Sequence, residues 1–83
     1  MKRTKVLFAE DFRDLADLYN HFWGKTYDIT ICENGLEAWD KISSGYLPDI
    51  IVSDFHMPGL DGVGLAKKLK DEGYRIPFIL FSI

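Results

Sequence analysis

The stretch IIVSDFHMPGLDG, residues 50–62, decides the fold. Its first four residues, Ile50, Ile51, Val52 and Ser53, are apolar or small without a polar gap, the pattern of a short strand buried on both faces of a parallel sheet. Such a strand has no place for a charge in its interior, so Asp54 marks the point where the chain leaves the sheet. Met57, Pro58 and Gly59 then turn it back, with Gly59 free to take a positive φ.

Working outward, residues 6–9, 29–32 and 78–81 repeat the apolar run. Between the first two lies FRDLADLYNHFW, where Phe12, Leu15, Tyr19 and Phe22 recur at helical spacing with Ala16 and Leu18 beside them. The segment NGLEAWDKI opens with Asn34 as an N-cap and has Glu37 three residues later, a variant of the capping box; it sets Ala38, Trp39 and Ile42 on one side. Beyond Asp61, the residues Val63, Leu65, Ala66 and Leu69 mark a third helix, which Gly73 closes with a left-handed cap. Pro48 and Pro77 stand just ahead of strands, where a missing amide donor matters least. The order is therefore βαβαβαβ, which with short loops implies a parallel sheet with right-handed crossovers, a doubly wound α/β layer. In open sheets of this class ligands bind beyond the carboxyl ends of the strands.

Size and composition narrow the function. A chain of 83 residues holds one domain, residues 1–83, close to the lower limit for a self-sufficient core. With 47% hydrophobic residues and no low-complexity block it reads as globular. A net charge of -3 argues against a nucleic-acid groove, and the basic run Lys2, Arg3, Lys5 is too short to alter that. No stretch approaches the roughly 20 apolar residues that span a bilayer. The single Cys32 has no partner for an internal disulfide and fits a reducing compartment, so a cytoplasmic location is expected.

The strand ends carry the chemistry. Glu10 and Asp11 follow the first strand, Asp54 the third and Ser82 the fourth. If the first and third strands are neighbours, three carboxylates meet in one crevice with a hydroxyl beside them. Carboxylates that close raise one another's pKa unless a hard cation sits among them, and Mg²⁺ is the natural occupant because it takes oxygen ligands and bridges carboxylates to phosphoryl groups. Taken singly, Asp11 or Asp61 reads more simply as a helix cap. The combination of an acidic pair after one strand and an Asp before a Pro-Gly turn after another is a constellation that capping does not explain.

FAEDF, PDIIVSDFHMPGLDG and IPFILFSI together resemble the CheY-like receiver domain of two-component response regulators, over residues 5–83. The resemblance implies a flavodoxin-like sheet of strand order 2-1-3-4 and a phosphoacceptor rather than an enzyme. It implies that Asp54 accepts the phosphoryl group, that Glu10, Asp11, Asp54 and the backbone carbonyl of His56 hold Mg²⁺, and that Ser82 is the switch hydroxyl. The implied partner is a sensor histidine kinase or a phosphotransfer protein. The family fold has five strands and five helices, so this chain is expected to lack the fourth helix, fifth strand and fifth helix, and with them a phosphoryl-contacting lysine and an aromatic switch residue. An incomplete sheet would leave the fourth strand and one face uncovered, and self-association through either is expected.

Two other readings compete. One is an interaction or dimerisation module that keeps the receiver shell without accepting phosphate. The other is a phosphatase of the haloacid dehalogenase type, which wants a second Asp two residues after the nucleophile, where this chain has His56. The remaining residues of note have plainer readings. The His56 side chain points outward, His21 is solvated, Trp23 and Trp39 pack, Cys32 is a small buried hydrophobe, and Lys67, Lys68 and Lys70 with Asp71 and Glu72 form a mixed, solvated helix face.

Overall fold

The computed structural model describes residues 2–82. The elements follow in the expected alternation: β1 (Lys5–Ala9), α1 (Arg13–Trp23), β2 (Asp28–Cys32), α2 (Gly35–Ser43), β3 (Ile50–Asp54), α3 (Gly62–Asp71) and β4 (Phe78–Phe81). The sheet order is β2-β1-β3-β4 with every pairing parallel. Asp54 is the last residue of β3 rather than the first beyond it.

Side-chain alternation along the strands sorts the core into two faces. Leu7, Ala9 and Ile51, each 0% exposed, point to the face covered by α2 and α3, where they join Cys32, Ala38, Ile42, Leu65 and Leu69. Burial of each leucine or isoleucine side chain among them contributes roughly 1.5–3 kcal/mol. Met57, from the turn after β3, closes the same cluster. Trp39 packs edge-on to Tyr74 at 5.9 Å and takes Lys68 Nζ over its ring at 4.8 Å, so one lysine of the solvated face has a partner. The other sheet face presents Val6, Phe8, Ile50 and Val52 to an open groove of about 620 Å³, bordered by Trp23, Tyr27 and Phe81.

The helix ends are set as their residues dictate. Asn34 Oδ1 accepts the Glu37 N–H at 2.8 Å, but the Glu37 carboxylate accepts from the Glu33 amide at 3.1 Å instead of returning to Asn34. Asp61 caps α3 by accepting the Gly64 N–H at 2.7 Å, and Gly73 ends that helix with φ +87°.

Three expectations about packing need correction. The sheet-facing stripe of α1 is Ala16, Tyr19 and Trp23, whereas Phe12, Leu18 and Phe22 are 56%, 46% and 63% exposed. Two apolar stripes compete on this helix, and the one with a small residue for close approach and two rings that stack on Phe8 wins. Trp23 borders the groove and stays 44% exposed, so it is no core residue. Val63 is half exposed in the first turn of α3, because Leu65 and Leu69, four apart, already fill the seat against the sheet.

Candidate functional site

Parallel pairing of β1 with β3 aligns Ala9 with Ser53, so Glu10, just past β1, lies beside Asp54, the last residue of β3. The Glu10 amide extends the ladder by donating to the Cys32 carbonyl at 2.9 Å. Glu10, Asp11 and Asp54 each bring a carboxylate oxygen within 4.8 Å of the others. Glu10 is buried at 1% exposure, Asp54 is buried, and Asp11 is exposed. Asp11 does not cap α1: Phe12 occupies the N-cap position and no side chain caps it.

Both oxygens of Glu10 are held. Oε2 accepts from the Phe12 amide at 3.1 Å and Oε1 from the Tyr19 hydroxyl at 3.3 Å. Burial raises the Glu10 carboxyl above its ordinary value, the Phe12 amide opposes this, and the charges of Asp54 and Asp11 add to the rise. Tyr19 is pushed up to about 12, by burial first and then by the Glu10 charge. Among the described residues the only ion pair is Arg13 with Glu33 at 3.5 Å, between two exposed side chains, so no Lys or Arg is ion-paired to the cluster. An all-oxygen donor set with uncompensated negative charge fits a hard cation such as Mg²⁺.

The loop after β3 is pressed against the cluster. The His56 amide donates to Asp54 Oδ1 at 3.2 Å, while the His56 side chain is exposed beside the Phe55 ring. A recess of about 320 Å³ opens next to Asp11, bordered by His56, Met57, Pro58 and Asp61. Gly59 takes φ +75°, as the turn requires. A side chain at Gly62 would collide with the Asp54 carbonyl and approach Leu80, and one at Gly35 would collide with the Leu60 carbonyl, which accepts the Gly35 N–H at 3.0 Å. Ser82 stands exposed directly after Phe81, the register partner of Asp54, and its hydroxyl makes no hydrogen bond among the described residues.

Sequence reasoning found the three carboxylates and missed two neighbours. Tyr19 was counted with the apolar stripe of its helix, although a tyrosine hydroxyl on a sheet-facing stripe calls for a polar partner. Gly62 belongs to the motif that carries the resemblance, but its packing against the Asp54 carbonyl was not foreseen.

Comparison with known proteins agrees with this geometry. The response regulator receiver domain pattern matches residues 6–83. The response regulator SaeR of Staphylococcus epidermidis is 35% identical over 80 residues, covering 95% of this chain and 34% of that protein. Sporulation initiation phosphotransferase F of Bacillus subtilis is 32% identical over 79 residues, covering 92% of this chain and 63% of that protein. The solved receiver domain of the Francisella response regulator 1452 superposes with a TM-score of 0.90 at 33% identity, over 96% of this chain and 66% of that one. The chain thus spans about a third of SaeR and about two thirds of the solved receiver. With the sheet order, the paired acidic strand ends and the sequence pattern all in agreement, the chain belongs to the response regulator receiver domain family.

Proposed function

We propose that the chain is a phosphoaccepting receiver of a two-component phosphorelay, taking a phosphoryl group onto Asp54 from a histidine kinase or a phosphotransfer protein. The observation that carries this is the meeting of Glu10, Asp11 and Asp54 at the carboxyl edge of β1 and β3, with no Lys or Arg ion-paired to them among the described residues. An Asp54 oxygen forms a bond to phosphorus, the N–P bond of the donor phosphohistidine breaks, and its electron pair returns to the imidazole nitrogen. The chain is then a stoichiometric acceptor rather than a turnover enzyme.

Glu10, Asp11, Asp54 and the His56 carbonyl are the groups that would hold Mg²⁺, which supplies charge neutralisation for the entering phosphoryl group. The His56 amide restrains the Asp54 carboxylate. Ser82, one residue past the partner of Asp54, would hydrogen-bond the new phosphoryl oxygens and report them to the surface. A cytoplasmic setting belongs to this reading, in keeping with the buried free thiol of Cys32.

The second reading, an interaction module that does not accept phosphate, is favoured by the open apolar groove and by Ile79, half exposed on β4. In that reading two copies associate through this face or strand, and light scattering at micromolar concentration gives a dimer mass; a monomer there removes the self-association. Intact mass after incubation with acetyl phosphate and Mg²⁺ separates the two. One added phosphoryl group, absent in Asp54→Asn and without Mg²⁺, is the expected result, and no adduct on a folded sample overturns the phosphoacceptor reading.

A further inference from the structure

We propose that Tyr19 is a positioning residue for the cation site, pinning the Glu10 carboxylate with its hydroxyl while its ring is gripped by Phe8 and Phe81. The inference rests on the receiver reading above and deepens it.

Glu10 reaches its place through one more rotatable bond than an aspartate, so its carboxylate has further to wander. Two donors remove that freedom: the Phe12 amide on Oε2 at 3.1 Å and the Tyr19 hydroxyl on Oε1 at 3.3 Å. The phenol is itself fixed, since its ring stacks on Phe8 at 4.6 Å and meets Phe81 edge-on at 6.2 Å. Phe8 pairs with Val52, two residues before Asp54, and Phe81 pairs with Asp54 itself. Tyr19 is therefore tied to the same strands that present the carboxylates, and it transmits their spacing to Glu10. At 1% exposure Glu10 has little access to water that could replace a lost donor.

Outer partners of metal ligands commonly set affinity by about 10- to 100-fold. Mg²⁺ demands near-ideal octahedral geometry, whereas Ca²⁺ accepts looser and more numerous oxygens, so loss of the phenol's restraint falls unequally on the two ions. Tyr19→Phe keeps the ring and its stacking and deletes only the hydroxyl. Calorimetric titration of the full chain and of this variant with Mg²⁺ and with Ca²⁺ is the test, after circular dichroism has established that the variant is folded. The expected result is a loss of Mg²⁺ affinity of about tenfold with a loss of Ca²⁺ affinity under about threefold. An unchanged Mg²⁺ Kd in Tyr19→Phe, or an equal loss for both ions, overturns the positioning role while the receiver reading stands. If the unaltered chain binds no Mg²⁺, the cation site of the receiver reading falls, and this role falls with it.

Discussion

The two faces of the sheet are built from neighbouring residues of the same strands, yet they differ in kind. Ile51 is fully buried under α2 and α3, while Ile50, one residue earlier, lines the open groove beside α1. On the first face, leucine, isoleucine and alanine interlock beneath two helices. On the second, one helix supplies Ala16, Tyr19 and Trp23, whose two rings stack with Phe8 and leave the groove beside them open. Strand composition alone does not decide burial. Ile50 and Ile51 are the same residue type, and what covers each sets how deeply it is enclosed.

The difference can be measured, and the largest effect sits on the closed face. Ile51→Ala is expected to cost about 2–5 kcal/mol in urea unfolding, against less than about 2 kcal/mol for Ile50→Ala, whose site is already open. Equal costs would mean that the groove is as tightly packed as the core. Gly62→Ala comes next, at about 1–3 kcal/mol, because the added methyl meets the Asp54 carbonyl and Leu80. Asn34→Ala should remove about 1 kcal/mol by leaving the Glu37 amide without its cap, and Asn34→Asp should restore it.

The smallest effect tests the groove side, where Glu10 lies against Tyr19. Its folded pKa is raised, so protonation is favoured by folding. The contribution of Glu10 to metal-free stability is then full below the ordinary carboxylate range and is lost as pH rises through the raised value. Glu10→Gln should remove that fall and raise the melting temperature at pH 7 by a few degrees, on a scale where 1 kcal/mol shifts a small domain roughly 4–8 °C. A wild-type profile with no such fall would mean that burial does not hold the Glu10 carboxyl above its ordinary value.

Much of this is legible in the amino-acid sequence. Strands of uninterrupted apolar residues announce themselves, and all four lie within a residue of their expected bounds. Asn34 as a cap and Glu10, Asp11 and Asp54 as a cluster follow from residue types with few other uses at those positions. The inner stripe of α1 was not legible, because Phe12, Leu15, Tyr19 and Phe22 form as regular a pattern as Ala16, Tyr19 and Trp23. Only the ring of Phe8, a strand away, chooses between them. The same holds for Tyr19 and Glu10, whose hydrogen bond joins a helix to a strand end. Periodicity describes one element at a time and is silent about such meetings.

Gly35 and Gly62 bear on the same short loop from its two sides, one against the Leu60 carbonyl and the other against the Asp54 carbonyl. Neither contact leaves room for a methyl group, so drift in the sequence is blocked at both places by backbone atoms that do not themselves change identity. A designer wishing to stiffen this domain by replacing glycines therefore has no freedom at these two helix starts. Gly45, with nothing within 4 Å of where a side chain would begin, leaves space instead, but its φ of +111° confines useful replacements to residues that accept a left-handed backbone.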